Sequence, residues 1–87
     1  MIVKVLGTGC ANCRALETTV REVVGEMGLD CQVEKVEDMA EIMRYGVMAT
    51  PALVVEDRVV ASGHVPSRAE VTSMLADAAL AGSVDQS

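Results

Sequence analysis

The sequence predicts a single α/β domain whose elements follow the order β-α-β-α-β-β-α. Two observations favour this class: strand-like apolar segments alternate with segments of helical periodicity, and 87 residues suit one domain. A strand–helix–strand start with short connections predicts a right-handed parallel pair, and a later hairpin adds an antiparallel partner. We therefore expect a four-stranded mixed sheet with three helices on its two faces.

The first half of the chain predicts a strand, a long helix and a second strand. Residues 2–6 are mostly apolar and β-branched, which favours a short buried strand that ends at Gly7. Residues 11–28 form the helix, and Gly28 is the kind of residue that commonly closes one. The apolar residues at helical spacing, which we expect to be buried, are Leu16, Val20, Val23, Val24 and Met27. The second strand follows at residues 31–36.

The middle of the chain predicts a short helix and then a hairpin. Asp38 can open the helix, and Gly46 would end it. The apolar residues expected to face inward are Met39, Ile42 and Met43. The hairpin would consist of strands 51–56 and 59–62 around a tight turn at 57–58.

The last helix has the clearest start signal in the sequence. Ser67 can accept a hydrogen bond from the first turn while Glu70 reaches back to it, which is the arrangement of a capping box. The apolar residues expected on its buried face are Val71, Met74, Leu75 and Ala78. We place the domain at residues 1–82 and assign residues 83–87 to a flexible C-terminal tail.

Composition and charge disfavour several classes of function. The net charge of −6 argues against binding to nucleic acid or to anionic membranes, and no apolar run is long enough to span a bilayer. The N-terminus lacks the pattern of a signal peptide, so we expect a cytoplasmic protein whose thiols are kept reduced. With three cysteines in the chain, a Cys-x-x-Cys motif then indicates redox activity or metal binding rather than a disulfide framework.

The two cysteines of the motif, Cys10 and Cys13, fall where the first strand ends and the first helix begins. Gly7 and Gly9 before them are interpreted as a tight turn that leaves Cys10 exposed. The N–H groups of Asn12 and Cys13 lack helical partners, and the positive end of the helix dipole favours a negative charge. The pKa of the Cys10 thiol should therefore lie below about 8.5, the value of a free thiol. Cys13 is close enough to bond to Cys10, so the pair suits thiol–disulfide exchange.

Other interpretations of these residues are weaker. Two cysteines can simply pack at a helix start, and a dinucleotide-binding loop fails because Asn12 stands where its third glycine belongs. The chain has four zinc ligands by count, namely Cys10, Cys13, Cys31 and His64. Cys31, however, lies beyond the far end of the first helix, about 25 Å away. We therefore predict no metal site, a buried Cys31 in the second strand and a His64 on a surface loop.

Three segments resemble one known superfamily. The segment GTGCANC at residues 7–13 is followed by ATPALVV at residues 49–55, and the two together are similar to the thioredoxin and glutaredoxin superfamily. With GHVPSRAEV at residues 63–71, the chain resembles the branch of small thioredoxin-like proteins called redox-active disulfide protein 2. The likeness covers residues 2–80 and implies a minimal thioredoxin fold.

The resemblance also implies roles for individual residues. Cys10 matches the nucleophile and Cys13 the resolving cysteine. Pro51 matches a cis-proline that lies beside the cysteines, and the cis bond would turn the backbone of Thr50 toward an extended substrate segment. The positions implied for substrate binding are Gly9, Ala11, Asn12, Thr50, Pro51 and Gly63.

Two departures from the superfamily bear on the site. Lys4 stands where thioredoxins carry a buried aspartate, so the usual proton acceptor for Cys13 is not in place. Glutaredoxins hold glutathione with a glycine turn followed by an acid, whereas this chain has Gly63 and His64 with no acid after them. We therefore do not expect glutathione as the substrate.

Together these features predict a cytoplasmic dithiol–disulfide oxidoreductase that reduces protein disulfides. The sequence carries no flavin or nicotinamide motif, so we expect no cofactor and an external electron donor, either a disulfide reductase or a small thiol. The expected partners are that reductase and disulfide-bearing protein substrates, and the protein itself is expected to be a monomer.

Two other classes of protein stay open. Proteins that traffic soft metals also carry Cys-x-x-Cys after a first strand, because two thiolates suit Cu(I). Their element order ends in a strand and they usually have methionine where Thr8 stands, whereas this chain is expected to end in a helix. The third class is a redox-sensing interaction module that uses the same dithiol.

Overall fold

The computed structural model describes residues 1–9 and 11–85 of the chain, with side chains described as far as residue 80. The elements follow the predicted order. They are β1 (Ile2–Leu6), α1 (Ala11–Met27), β2 (Gln32–Val36), α2 (Met39–Arg44), β3 (Ala52–Val55), β4 (Arg58–Ser62) and α3 (Arg68–Asp85). Within the described ranges, no helix is both long enough and apolar enough to cross a membrane.

The four strands form one mixed sheet in the order β2-β1-β3-β4. Strand β1 pairs in parallel with β2, so Leu6 lies opposite Val36 and both strands end at the same edge. Strand β1 pairs antiparallel with β3, where Leu6 lies opposite Ala52, and β3 pairs antiparallel with β4. The ends of β1 and β2 and the start of β3 therefore meet at one edge. The predicted α/β class and mixed four-stranded sheet are confirmed.

Helices α1 and α3 cover one face of the sheet and enclose the main core. Alternate residues of β1 and β3 point to this face and meet the apolar stripe that helical spacing predicts for α1. The buried members are Val3, Val5, Leu16, Val20, Val23, Leu53, Val55, Ala61, Val71 and Leu75. Burial of each large aliphatic side chain stabilises the fold by about 1.5–3 kcal/mol. On the solvent side, Arg68 of α3 forms ion pairs with Glu22 and Glu26 of α1.

Helix α2 covers the other face with a smaller cluster. Asp38 caps this helix as predicted, because its side chain accepts a hydrogen bond from Ala40 N at 3.0 Å. The buried residues of the cluster are Leu6, Val36, Ile42, Ala52 and Val54, with Tyr45 and Val47 packed against them.

The prediction that Met39 and Met43 face inward is wrong. Their exposed fractions are 53% and 67%, while Ile42 is almost fully buried. Since α2 has only six residues, it presents little more than one turn to the sheet, and Ile42 fills that contact. The two methionines, four residues apart, lie together on the solvent side of the helix.

The hairpin turn lies one residue earlier than predicted. It comprises Glu56 and Asp57, which have positive φ angles of 50° and 66°, and β4 begins at Arg58. A two-residue turn with positive φ at both positions matches the twist of the strands that it joins. Aspartate tolerates this backbone conformation better than most residues.

Helix α3 begins with the predicted capping box. Glu70 N donates to Ser67 Oγ at 3.1 Å, and Ser67 N donates to Glu70 Oε1 at 3.2 Å. The helix continues to Asp85, three residues into the segment that the sequence assigned to a tail. One glycine within a helix costs only about 1 kcal/mol relative to alanine, so Gly82 does not end it. Residues 86 and 87 lie outside the described part of the chain.

Candidate active site

The loop between β1 and α1 is held at the edge of the sheet. Gly7 N donates a hydrogen bond to Val36 O at 2.9 Å, so the loop leaves β1 beside the end of β2. Helix α1 then begins at Ala11, and both Ala11 and Asn12 are exposed. Cys10, the predicted nucleophile, lies outside the described residues, and its role stays a prediction.

Cys13 lies in the first turn of α1 and is 2% exposed. Its sulfur is seated against Gly7: a Cβ atom built on Gly7 would lie 2.1 Å from Cys13 Sγ and 3.0 Å from Cys13 Cβ. Any residue larger than glycine would displace the Cys13 side chain. The sequence indicated only a tight turn at Gly7, whereas the structure shows that the close approach of a buried sulfur requires glycine there.

The Thr50–Pro51 segment approaches the same glycine from the start of β3. The peptide bond between the two residues is cis, and Thr50 is exposed while Pro51 is buried. The Cβ atom of Thr50 lies 3.9 Å from the Cβ position built on Gly7. Cys13 and Thr50, which are far apart in sequence, therefore converge on Gly7.

Gly63 lies beside Pro51, at the end of the sheet where β3 begins. Gly63 N donates to Pro51 O at 2.9 Å, and its φ angle of 79° is one that other residues rarely adopt. A Cβ atom on Gly63 would lie 3.3 Å from the Cβ atom of Ala49. Thr50, Pro51 and Gly63 are thus neighbours, and their assignment to substrate binding stays a prediction.

Two charged side chains approach Gly9, the last described residue before the motif. Arg14 Nε donates to Gly9 O at 3.4 Å. Oε2 of Glu37 lies 3.0 Å from a Cβ position built on Gly9. Sequence reasoning missed Glu37. The signal that could have found it is the parallel pairing of the first two strands, which places the residue after Val36 beside the loop.

Lys4, at the position of the missing aspartate, is paired with a tyrosine. It alternates with Val3 and Val5 on β1, so it points to the face that α2 covers rather than to the face that α1 covers. Its Nζ atom donates to the hydroxyl of Tyr45 at 2.8 Å and lies 5.5 Å from the ring centroid. This hydrogen bond raises the pKa of Lys4, against an opposing effect of burial. Lys4 therefore remains an ammonium ion at neutral pH and cannot accept a proton from Cys13.

Cys31 is only half-buried and precedes β2, so the prediction of a buried residue within that strand is wrong. The reason is that β2 is an edge strand. A neighbouring strand pairs with it on one side only, so the residues at its start are partly open to solvent. Cys31 lies at the opposite end of the sheet from the loop, because its neighbour Gln32 pairs with Ile2. Burial raises the pKa of the Cys31 thiol, which makes it a poor nucleophile.

His64 is exposed in the loop after β4, as predicted, and its Nδ1 atom lies 3.2 Å from Ser62 O. Of the four residues that could be counted as zinc ligands, Cys31 is at the far end of the sheet. Over residues 1–9 and 11–85, no group of three or more His, Cys, Asp or Glu side chains is placed to hold a metal ion.

Comparisons with known proteins agree on one family. The family model described as a thioredoxin domain matches residues 1–76. A thioredoxin of Methanothermobacter thermautotrophicus is 40% identical over 75 residues, which cover 86% of this chain and 97% of that protein. A thioredoxin of Methanocaldococcus jannaschii is 33% identical over 75 residues, which cover 86% of each protein. The narrower assignment to the redox-active disulfide protein 2 branch stays a prediction.

A solved structure shows the same fold. The germline-specific thioredoxin Deadhead of Drosophila melanogaster matches with a TM-score of 0.62 and 23% identity, over 87% of this chain and 78% of that one. The predicted minimal thioredoxin fold is thereby confirmed.

Proposed function

Because this chain belongs to the thioredoxin family, we propose that it reduces disulfides in other proteins with the dithiol of Cys10 and Cys13. The observation that supports the proposal most directly is the position of Cys13. Its sulfur is buried in the first turn of α1 against Gly7, next to the exposed Thr50. A thiol in such a place is shielded from solvent yet adjacent to the surface where a substrate disulfide would bind.

Cys10 is the proposed nucleophile. As a thiolate it attacks one sulfur of the substrate disulfide, the substrate S–S bond breaks, and the leaving thiolate takes a proton from water. The product is a mixed disulfide between Cys10 and the substrate. The start of α1 favours this thiolate, because first-turn N–H groups without helical partners and the positive end of the helix dipole are directed there.

Cys13 is the proposed resolving residue. Its deprotonated sulfur attacks Cys10 Sγ, the mixed disulfide breaks, and the second substrate sulfur leaves as a thiol after taking up a proton. Over both steps the substrate disulfide gains two electrons and two protons, and the Cys10–Cys13 dithiol loses the same number to become a disulfide. A separation of three residues at a helix start is compatible with the Cα distances of disulfides, about 4.4–6.8 Å.

The exposed edge next to Cys13 is the proposed place of substrate binding. Thr50 is exposed, and its backbone would pair with an extended segment of the substrate in the manner of an added strand. Gly9, Ala11 and Gly63 have small side chains or none, which leaves room for a second backbone to approach, and Asn12 offers a polar side chain at the border. These positions would recognise an extended backbone more than any particular side chain.

A separate protein or small thiol must reduce the Cys10–Cys13 disulfide after each cycle. We propose a disulfide reductase as that donor and a cytoplasmic location, where the redox poise drives such couples toward the dithiol. We propose that the protein acts as a monomer, so that the edge formed by Thr50, Pro51 and Gly63 is available to substrates.

A redox titration tests the proposal. Chelator-treated protein is equilibrated in dithiol redox buffers, and alkylation with peptide mass spectrometry reports Cys10, Cys13 and Cys31 separately. We expect Cys10 and Cys13 to oxidise together as a two-electron couple between about −200 and −290 mV, the range of thioredoxins and glutaredoxins. Cys31 should remain a thiol throughout.

Two other results would overturn the proposal. Failure of the two thiols to pair, or reaction only after a bound metal is stripped, would indicate soft-metal binding. Formation of the couple without electron transfer to any protein disulfide would indicate a redox-sensing module.

A further inference from the structure

Glu37 places a carboxylate beside the loop that leads to the thiols. Its Oε2 atom approaches the Gly9 backbone so closely that a Cβ atom on Gly9 would lie 3.0 Å away. Cys10 follows Gly9 in the chain, and one peptide unit spans about 3.8 Å between Cα atoms. The carboxylate therefore lies beside the residue that precedes the proposed nucleophile in the sequence. The resemblance to the thioredoxin superfamily assigns no role to Glu37.

We propose that Glu37 is a positioning residue of the redox site, whose negative charge disfavours the thiolate form of the Cys10–Cys13 pair and makes the pair a stronger reductant. This inference rests on the function proposed above. Glu37 acts through its electric field and not by contact with the reacting sulfur atoms. The position at which thioredoxins carry an acid holds Lys4 here. Lys4 points to the face of the sheet that α2 covers, where it donates to Tyr45, and not to the face that α1 covers.

The sign of the effect follows from the charges of the two redox states. A negative charge near a thiolate makes ionisation of the thiol less favourable, whereas the disulfide is uncharged and is unaffected. Destabilising the thiolate destabilises the reduced form, so electrons are given up more readily. Arg14, which donates to the carbonyl of Gly9, has the opposite effect.

The expected size of the effect is modest, because both charges are near the surface. Lys35 Nζ lies 4.0 Å from Oε1 of Glu37 and offsets part of its field. One unit charge at about 8 Å, at an effective dielectric constant between about 45 and 80, changes an equilibrium constant about two- to fivefold. The Debye length is about 8 Å at physiological ionic strength, so the effect is largest at low salt.

The pH dependence separates this role from a purely structural one. Three charged side chains are placed at the loop: Arg14 donates to Gly9 O, Glu37 approaches Gly9, and Lys35 pairs with Glu37. At pH 5.5 the thiols are mostly protonated, so the Glu37 charge has little to act on. At pH 8 the thiolate is populated and the charge takes effect.

The test uses three variants of the whole chain at 20 mM salt. Glu37→Gln removes the charge with little change in shape, and Arg14→Gln removes the opposing charge. Asp57→Asn is the matched control, since it removes one negative charge from the hairpin turn at the other end of β3, where Asn also tolerates the positive φ. The equilibrium constant with dithiothreitol is measured at pH 5.5 and pH 8, and the pH midpoint of Cys10 alkylation by iodoacetamide is followed by mass spectrometry.

We expect Glu37→Gln to be two- to fivefold less reducing at pH 8, equal to wild type at pH 5.5, and alkylated at a lower pH midpoint. Arg14→Gln should shift both quantities in the opposite direction, and Asp57→Asn should shift neither. Equality of Glu37→Gln and wild type at pH 8 would overturn the inference, as would an equal shift at both pH values. If wild type shows no dithiol couple at all, the proposed function fails. The alkylation midpoint then decides alone: a lower midpoint in Glu37→Gln upholds the charge effect, and an unchanged midpoint overturns it.

Discussion

The sulfur atom of Cys13 rests directly against Gly7, so closely that a Cβ atom on the glycine would lie 2.1 Å from it. Gly7 is itself anchored to β2 through the hydrogen bond from its N–H group to Val36 O. The buried thiol is therefore positioned relative to the sheet by a contact with backbone, which cannot move aside as a side chain could. This contact sets the position from which Cys13 would attack a mixed disulfide.

Replacing Gly7 with alanine should displace the Cys13 side chain. Overpacking of a core in this way costs about 1–3 kcal/mol, so we expect the urea midpoint of unfolding of the reduced protein to fall. Gly25→Ala is the matched control, because Gly25 lies within α1 and an added Cβ atom would meet nothing within 4 Å. That variant should unfold at a higher urea concentration, since alanine is favoured over glycine in helices by about 1 kcal/mol.

A double-mutant cycle identifies the sulfur as the cause. Gly7→Ala should cost less in a Cys13→Ala background than in the wild type, because the atom nearest to the added methyl group is then gone. If Gly7→Ala lowers the free energy of unfolding by the same amount in both backgrounds, the clash of the alanine is with atoms other than those of the Cys13 side chain.

For the half-buried hydrogen bond between Lys4 and Tyr45, removing one partner should destabilise the fold more than replacing both. Tyr45→Phe removes the acceptor of the Lys4 ammonium and leaves that charge without its partner, so the thermal midpoint at pH 7 should fall. Lys4→Met combined with Tyr45→Phe replaces both partners with apolar groups and should recover most of the loss. A double variant less stable than Tyr45→Phe alone would contradict this reading of the pair.

The capping box of α3 should make stability depend on acidic pH. Two hydrogen bonds lower the pKa of Glu70 below its ordinary value of 4.5. The larger effect comes from the backbone of Ser67 and the smaller from its side chain. Glu70 therefore contributes stability above pH 4.5, and the contribution is lost as the pH falls through the lower folded-state value. Glu70→Gln should flatten the fall in unfolding free energy over this range, as measured by urea titration at a series of pH values.

Ser67→Ala is the control for that experiment. Loss of the hydroxyl that accepts from Glu70 N should cost about 1 kcal/mol, and most of this cost should be present at both ends of the pH range. An unchanged pH slope in Glu70→Gln would mean that the carboxylate does not contribute to the cap.

Cys31 should take no part in the redox reaction. It is at the far end of the sheet from Gly7, and burial raises the pKa of its thiol. We expect Cys31→Ser to leave the redox equilibrium with dithiothreitol unchanged. In wild type, iodoacetamide should modify Cys31 more slowly in the folded protein than in urea. A shift of the equilibrium in Cys31→Ser would show that a third thiol exchanges with the pair.

Much of the fold could be predicted because apolar periodicity reports burial well in long elements. The stripe of α1 is buried at Leu16, Val20 and Val23, as its spacing predicts. The same reasoning fails for α2, because a helix of six residues has too few turns for a pattern to tell Ile42, which is buried, from Met39 and Met43, which are not.

The candidate site could be predicted only in part, for a different reason. The Cys-x-x-Cys motif and the Thr50–Pro51 pair are short patterns that sequence displays directly. The contact of Cys13 with Gly7 depends on how closely α1 approaches the end of β1, which no pattern encodes. The approach of Glu37 to Gly9 depends on the parallel register of β1 and β2, which joins residues distant in the chain.

Transfer of electrons in a single turnover tests most directly whether Cys10 and Cys13 act as one dithiol. Fully reduced protein is mixed with an equal amount of a test peptide that carries one exposed disulfide, quenched with acid and analysed by peptide mass spectrometry. We predict one Cys10–Cys13 disulfide for each peptide disulfide reduced, and in Cys13→Ser a stable mixed disulfide between Cys10 and the peptide. A peptide disulfide that stays oxidised in wild type, or a mixed disulfide formed through Cys13 in place of Cys10, would contradict the proposed function.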